Sequence, residues 1–181
     1  MFKTKVNENI SLKILEERDA QTLFNLVDHS RDYLGEWLPF VKFTKTAYDT
    51  NQFIKSALQQ FVENDGFHCG IWYKGELIGV IGLHYINWLN KKTSIGYYIN
   101  QSYQGLGIMT ECTKFFIDYC FNEINLNRIE IQTSINNIKS QNIPKKLGFT
   151  QEGILREDEK LNGKFYDSYV FSLLKSEYNN V

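Results

Sequence analysis

Residues Thr93–Phe116 read TSIGYYIN, then QSYQGLGIMTE, then CTKFF. The first run alternates like a strand, the second carries Gly105 and Gly107, and the third opens an apolar-periodic helix. That order leaves the first backbone N–H groups of the helix unpaired above the strand end, a place suited to an anion. The expected nest runs from Gln104 through Gly105, Leu106, Gly107, Ile108 and Met109 to Thr110, with Lys139 and Lys145 as accompanying cations.

Glycine turns serve several ligands, and spacing removes two of them. A dinucleotide fingerprint G-x-G-x-x-G fits at Gly105 and Gly107 but fails at Thr110, and no βαβ unit precedes it. A phosphate-binding P-loop needs Gly-Lys-Ser/Thr after four intervening residues, which are absent here. On the residues alone, a tight turn without a ligand stays open beside the anion site.

Upstream, Ser11–Leu15 reads as a strand, and Asp19 is the expected N-cap of a helix over Ala20–Asp28. Arg31–Leu38 reads as a short helix broken at Gly35 before Pro39. Ala47–Glu63 reads as a longer one with Phe53, Ile54, Ala57, Leu58, Phe61 and Val62 as its apolar stripe. From Phe67 the period changes to two. Phe67–Tyr73 and Leu77–Ile86 form a hairpin about Lys74-Gly75-Glu76, and the loop 87–92 returns the chain to Thr93–Asn100. Gly79 and Gly82 inside a strand mark a bend or a close backbone approach. Downstream, the helix runs over Ile108–Glu123 and a strand over Leu126–Ile135. A short helix over Ser140–Leu147 closes at Gly148, and strands Phe149–Leu155 and Phe165–Leu174 join through Asn162-Gly163. The sum is an α+β fold in a single domain over residues 1–181.

Composition bounds the function. Lys plus Arg total 20 against 21 Asp plus Glu, a net charge of −1, which argues against a nonspecific nucleic-acid binder. The three cysteines, Cys69, Cys112 and Cys120, have no repeated spacing. Cys112 and Cys120 would sit ~12 Å apart on one helix, too far to bridge, so they read as small buried hydrophobes in a reducing cytosol. His29, His68 and His84 have no metal-ligand spacing, so no metal is expected. The N-terminal run MFKTKVNENISLKIL lacks the apolar core of a signal peptide, and no window is long enough to span a membrane. A soluble, cytoplasmic protein is the expectation, with a homodimer left open.

The run YYINQSYQGLGIMTE resembles the acetyl-CoA motif of GNAT-type N-acetyltransferases, Gln/Arg-x-x-Gly-x-Gly/Ala between a strand and a helix. Gln104 and Gly107 match, and Met109 departs at the last small position, so its side chain must turn away from the phosphates. Asn137-Ile138-Lys139-Ser140, followed by Lys146-Leu147-Gly148-Phe149, resembles the family's Asn-x-x-Ser…Lys-x-Gly-Phe region. The extra Gly105 resembles the subgroup that acetylates N-termini of ribosomal proteins. So do Arg31…Leu34…Trp37, Leu83-His84…Asn90…Ile95-Gly96-Tyr97 and Leu155-Arg156…Asn162-Gly163…Asp167.

The resemblance implies the GNAT fold, a mixed, mostly antiparallel sheet of six to seven strands with helices on both faces. Its fourth strand, here Thr93–Asn100, would carry a bulge and splay from the fifth. Ile99 and Asn100 would then pair with the pantetheine amides, and an N–H near Tyr98 or Ile99 would face the thioester oxygen. Asn137 would bind near the pantetheine arm. Ser140 would protonate the leaving thiolate, an ordinary helix N-cap being the plainer reading.

Glu159 is the first candidate base, against a solvated acid in the run REDEK. His84, on the third strand, is the second, against a satisfied core histidine. Trp37 could wall the acceptor pocket or simply pack on the core, and Asp167 could hold the last hairpin. An α-amine near pKa 7.7–8.0 costs only about 1–1.4 kcal/mol to neutralise at pH 7, whereas a lysine costs about 4.6 kcal/mol. The expected reaction is direct transfer of acetyl from acetyl-CoA to a protein N-terminus, plausibly ribosomal. A small amine such as a polyamine or an aminoglycoside-like compound, and a non-catalytic acyl-CoA binder, are the alternatives.

Overall fold

A computed structural model describes residues 3–178; positions 1–2 and 179–181 lie outside the described residues. Eight strands form one sheet in the order β1-β2-β3-β4-β5-β6-β8-β7. They are β1 (Thr4–Lys5), β2 (Ile10–Ile14), β3 (Phe67–Tyr73), β4 (Glu76–Asn87), β5 (Lys92–Ile99), β6 (Arg128–Ser134), β7 (Thr150–Leu161) and β8 (Lys164–Leu174). The strand beyond the expected seven is β1, only two residues long. All neighbours pair antiparallel except β5 and β6, which are parallel because α4 (Ile108–Asp118) crosses between them.

The chain between β2 and β3 holds α1 (Ala20–His29), α2 (Arg31–Gly35) and α3 (Ala47–Val62). They cover one sheet face, where Leu23, Leu26, Val27, Leu34 and Ile54 pack with Leu77 and Val80. On the other face α4 and the turn after it bury Cys112, Phe116 and Phe121 against Ile78, Ile81, Ile95, Ile131 and Phe171. Burying one such phenylalanine contributes about 1.5–3 kcal/mol. The three cysteines are free and buried, and burial pushes their thiols up to about 12, where they are inert.

Several local expectations shift. Asp19 does not cap α1 with its side chain; its carboxylate binds the buried Lys13 ammonium at 2.8 Å and accepts from the Glu16 N–H at 2.9 Å. The stripe on α3 divides. Ile54 and Ala57 enter the core, Phe53 lies edge-on to His68, Phe61 lies edge-on to Phe67, and Val62 is exposed. The helix begun at Ile108 ends as an α-helix at Asp118 and continues as a π-turn over Tyr119–Glu123, which turns the consecutive Cys120 and Phe121 both inward. Gly79 is a close approach: a Cβ there would sit 2.4 Å from the Tyr98 carbonyl oxygen.

Candidate active site

β5 and β6 pair only at Lys92–Arg128, Thr93–Ile129 and Ser94–Glu130, then separate, although both strands continue. The expected splay is therefore present. The bulge lies elsewhere, on β4 rather than on Thr93–Asn100. Leu83 faces Ile95 and Ile86 faces Thr93, so His84 and Tyr85 together oppose Ser94.

Strand parity shows which β5 groups face the gap. The Asn100 N–H is bonded to the Ile78 carbonyl at 2.8 Å, on the β4 side. By alternation Tyr98 also points its N–H and C=O at β4, while Tyr97 and Ile99 point theirs into the gap. Asn100 and Tyr98 thus drop out as backbone partners for an arm in the gap, and Ile99 remains. The Asn100 carboxamide instead accepts from the Ser102 N–H at 2.9 Å, holding the turn. The Tyr98 side chain packs on Phe40, with ring centroids 5.5 Å apart, on the α1–α3 face.

Gly105 and Gly107 have φ of +75° and +76°, the left-handed region that glycine enters freely. Gly107 is the N-cap of α4, and the first intrahelical bond runs from the Glu111 N–H to its carbonyl. The N–H groups of Ile108, Met109 and Thr110 therefore have no intrahelical partner. The Met109 side chain is turned inward and buried with Ile108 and Cys112, so the departure from a small residue leaves the amides clear. Lys139 donates to the Gln104 carboxamide at 2.9 Å and lies over the Tyr33 ring. Lys145 belongs elsewhere: it reaches Gln141 and lies over Phe171, and Lys146 lines the cavity instead.

The helix α5 (Ile138–Lys146) is capped by Asn137, whose side-chain oxygen accepts from the Ser140 N–H at 3.1 Å. Ser140 is thus not the N-cap, and its hydroxyl is directed at the Tyr97 hydroxyl, 3.5 Å away. Tyr97 in turn donates to the Ser140 carbonyl at 3.2 Å, and burial holds its phenol well above the usual range. Tyr97 is a site residue to which no motif gives a role; only its alternation with Ile95 and Ile99 along β5 carries the signal.

These elements enclose one cavity of about 1230 Å³, lined by the turn, the gap, α5 and the α1–α3 face. Trp37, His84, Ser140 and Glu159 all border it, together with His68, which no sequence motif marks. Glu159 is aimed by a bulge in β7. Leu155 faces Ser168 and Glu159 faces Tyr166, so Arg156–Asp158 loop out opposite Asp167. The Asp167 carboxylate accepts from the Glu157 N–H at 2.8 Å, where φ is +51°. Asp167 therefore holds the hairpin. Burial, then the charge of Asp158, raises the Glu159 carboxyl above its ordinary value.

Desolvation lowers both imidazoles, that of the half-buried His68 and that of His84, which is exposed on the cavity wall. His84 lies below its ordinary value, and His68 is lowered from 6.5 to about 4, with His84 adding to the effect. The unfolded chain binds the His68 proton near 6.5 and the folded chain only near 4, so stability falls as pH drops through that window. The full effect is about 3 kcal/mol. Urea unfolding at pH 7 and pH 4.5 should show a smaller acid loss for His68→Gln than for the unaltered chain. An equal loss in both would show that His68 titrates normally.

The model of the acetyltransferase (GNAT) domain matches residues 9–150. The chain belongs to the GNAT family of N-acetyltransferases. It is 37% identical over 180 residues to YdaF of Bacillus subtilis, provisionally named a ribosomal N-acetyltransferase, covering 98% of each chain. It is 27% identical to the spermidine N(1)-acetyltransferase of Vibrio cholerae, covering 97% of this chain and 98% of that one. Among solved structures, the microcin C7 self-immunity acetyltransferase MccE, in complex with acetyl-CoA and AMP, superposes with a TM-score of 0.90. It is 27% identical, with 94% of each chain covered.

This GNAT chain is an acetyl-CoA-dependent N-acetyltransferase, and its cavity fits the co-substrate. The Thr133 hydroxyl, on β6 at the cavity wall, is buried without a hydrogen-bond partner among the described residues, as expected where a polar arm supplies one. Among the described residues no cluster of three or more His, Cys, Asp or Glu could hold a metal, and no helix is long and apolar enough to cross a membrane.

Proposed function

We propose that the acceptor is the N-terminal α-amine of a ribosomal protein, and that residues 1–181 act as one cytoplasmic catalytic domain. The observation that carries the reading is Glu159, a cavity carboxylate raised toward neutrality. Such a base serves an amine that costs only about 1–1.4 kcal/mol to deprotonate, against about 4.6 kcal/mol for a lysine. The similarity to YdaF over nearly the whole chain supports it.

Acetyl-CoA, when bound, supplies the thioester that a neutral amine attacks. The turn from Gln104 to Thr110, with Lys139 and Lys146, would hold its diphosphate, and Tyr97 and Ile99 would face the arm with free backbone groups. Asn137 fixes α5 beside it. Glu159 accepts the amine proton through water, and Trp37 and His84 wall the acceptor. The Ser140 hydroxyl, beside Tyr97, gives a proton to the departing sulfur and regains one from solvent, while Glu159 releases the amine proton to solvent.

Ser140→Ala should lower kcat about 10–100-fold while calorimetry finds acetyl-CoA affinity unchanged. A parallel loss of affinity would make the hydroxyl structural. For the acceptor, the purified enzyme is given N-terminal peptides of ribosomal proteins and, separately, spermidine. Thiol release with peptides supports the reading, and release with spermidine alone overturns it.

A further inference from the structure

On the α1–α3 side the cavity continues past His84, which walls the acceptor, into a chamber whose other groups none of these roles uses. His68 on β3 faces Gly82 on β4, and Gly82 faces Gly96 on β5. A Cβ at Gly82 would come within 2.4 Å of His68 Nδ1, and one at Gly96 within 1.9 Å of His84 Nε2. Each imidazole therefore lies across a glycine that leaves it room. The rings are 6.3 Å apart, and Phe53 stands edge-on to His68 at 5.4 Å. Leu23, Val27 and Val80 add apolar wall.

Thr50 on α3 also lines the chamber. It is 4% exposed, and its hydroxyl has no hydrogen-bond partner among the described residues. A buried hydroxyl without a partner is costly and calls for a group that would complete it. Neither imidazole hydrogen-bonds a protein group through its ring among the described residues, so both rings also have capacity to spare. The lysines and carboxylates bordering the cavity sit on α5 and β7. Glu159 is separated from β5 by β6 and β8. The chamber thus offers donors and acceptors without a fixed charge.

We propose that this chamber is a subsite for the acceptor's first side chain and selects an uncharged group that both donates and accepts hydrogen bonds, a hydroxyl or a carboxamide. The proposal rests on the acceptor being a peptide N-terminus. Such a group completes the Thr50 hydroxyl and a neutral imidazole together. A lysine side chain, or the distal ammonium of a polyamine, would be desolvated there without a counter-charge. The depressed pKa of both imidazoles keeps them from serving an acidic side chain as ready-made cations.

The test is thiol release with pentapeptides identical except at the first residue, by kcat/KM at pH 7.5. A threonine peptide should exceed its valine isostere by about 10-fold, and the lysine and aspartate peptides by about 100-fold. Thr50→Val, with its melting temperature measured alongside, should bring the threonine-to-valine ratio toward one. Without acetyl-CoA, the threonine peptide should shift the imidazole resonances of His68 and His84, and the lysine peptide should not. Equal use of the lysine and threonine peptides, or an unchanged ratio in Thr50→Val, overturns the subsite and leaves the protein acceptor standing. If no peptide reacts but an amino alcohol exceeds a diamine of equal length, the protein acceptor falls and the chamber's selectivity stands. Turnover of spermidine alone overturns both.

Discussion

Gly107→Val should abolish measurable acetyl-CoA binding, a loss of at least about 100-fold by calorimetry. Two effects of the substitution have to be separated. Gly107 has φ +76°, where a β-branched residue is strained, so the variant should also lose stability. Apart from its chain neighbours, no atom of the described residues lies within 4 Å of the position a Cβ would take, so the added methyls would stand in open space at the cavity wall. That space lies beside the free N–H groups of the first turn of α4, where the diphosphate must approach. Gly107→Asn distinguishes the causes, because asparagine tolerates the left-handed region and still carries a side chain over the amides. It should recover most of the melting temperature and still bind at least about 10-fold more weakly. A folded Gly107→Val with unaltered affinity would move the anion site away from this turn.

The strand, turn and helix around Gly107 were legible because positive-φ glycines and a change of period are local signals. Family membership was legible for a related reason: two motifs fall in order along the chain, and each needs particular backbone geometry. What was not legible depended on partners distant in sequence. One step along α5 turns a side chain by about 100°, which is why Lys146 rather than Lys145 reaches the cavity. The cap of α5 belongs to Asn137 because the chain turns at that residue, three positions before Ser140. The bulge fell on β4 because registry is a property of two strands, and β5 alone carries no mark of it. His68 could be seen as a site residue only once the hairpin register set it opposite Gly82. Asn100 was lost to the site when its N–H and its carboxamide were both engaged in ending β5.

Glu159→Gln should lower kcat/KM by about 100–1,000-fold and change the shape of the pH profile. A base must be ionised to accept a proton, and burial with the Asp158 charge raises the Glu159 carboxyl above its ordinary value. In the unaltered enzyme, activity therefore falls with acid for two reasons: the α-amine takes a proton below about 7.7–8.0, and the carboxylate takes one lower down. Log kcat/KM should steepen from a slope of about one to about two once both groups are protonated. The glutamine variant keeps the shape and hydrogen-bonding capacity of the side chain but has no carboxylate to titrate, so the slope should stay near one. Acetyl-CoA affinity, measured separately, should not move, since Glu159 sits on β7 and the coenzyme groups on β5, α4 and α5. His84→Gln is the matched comparison. With Glu159 as the base, His84 serves as a neutral wall, its imidazole lowered below its ordinary value, so its substitution should leave two protons in the acid limb. If His84→Gln removes one and Glu159→Gln does not, the proton leaves through the imidazole over Gly96, and the bulge in β4 that carries His84 becomes the catalytic feature of the sheet.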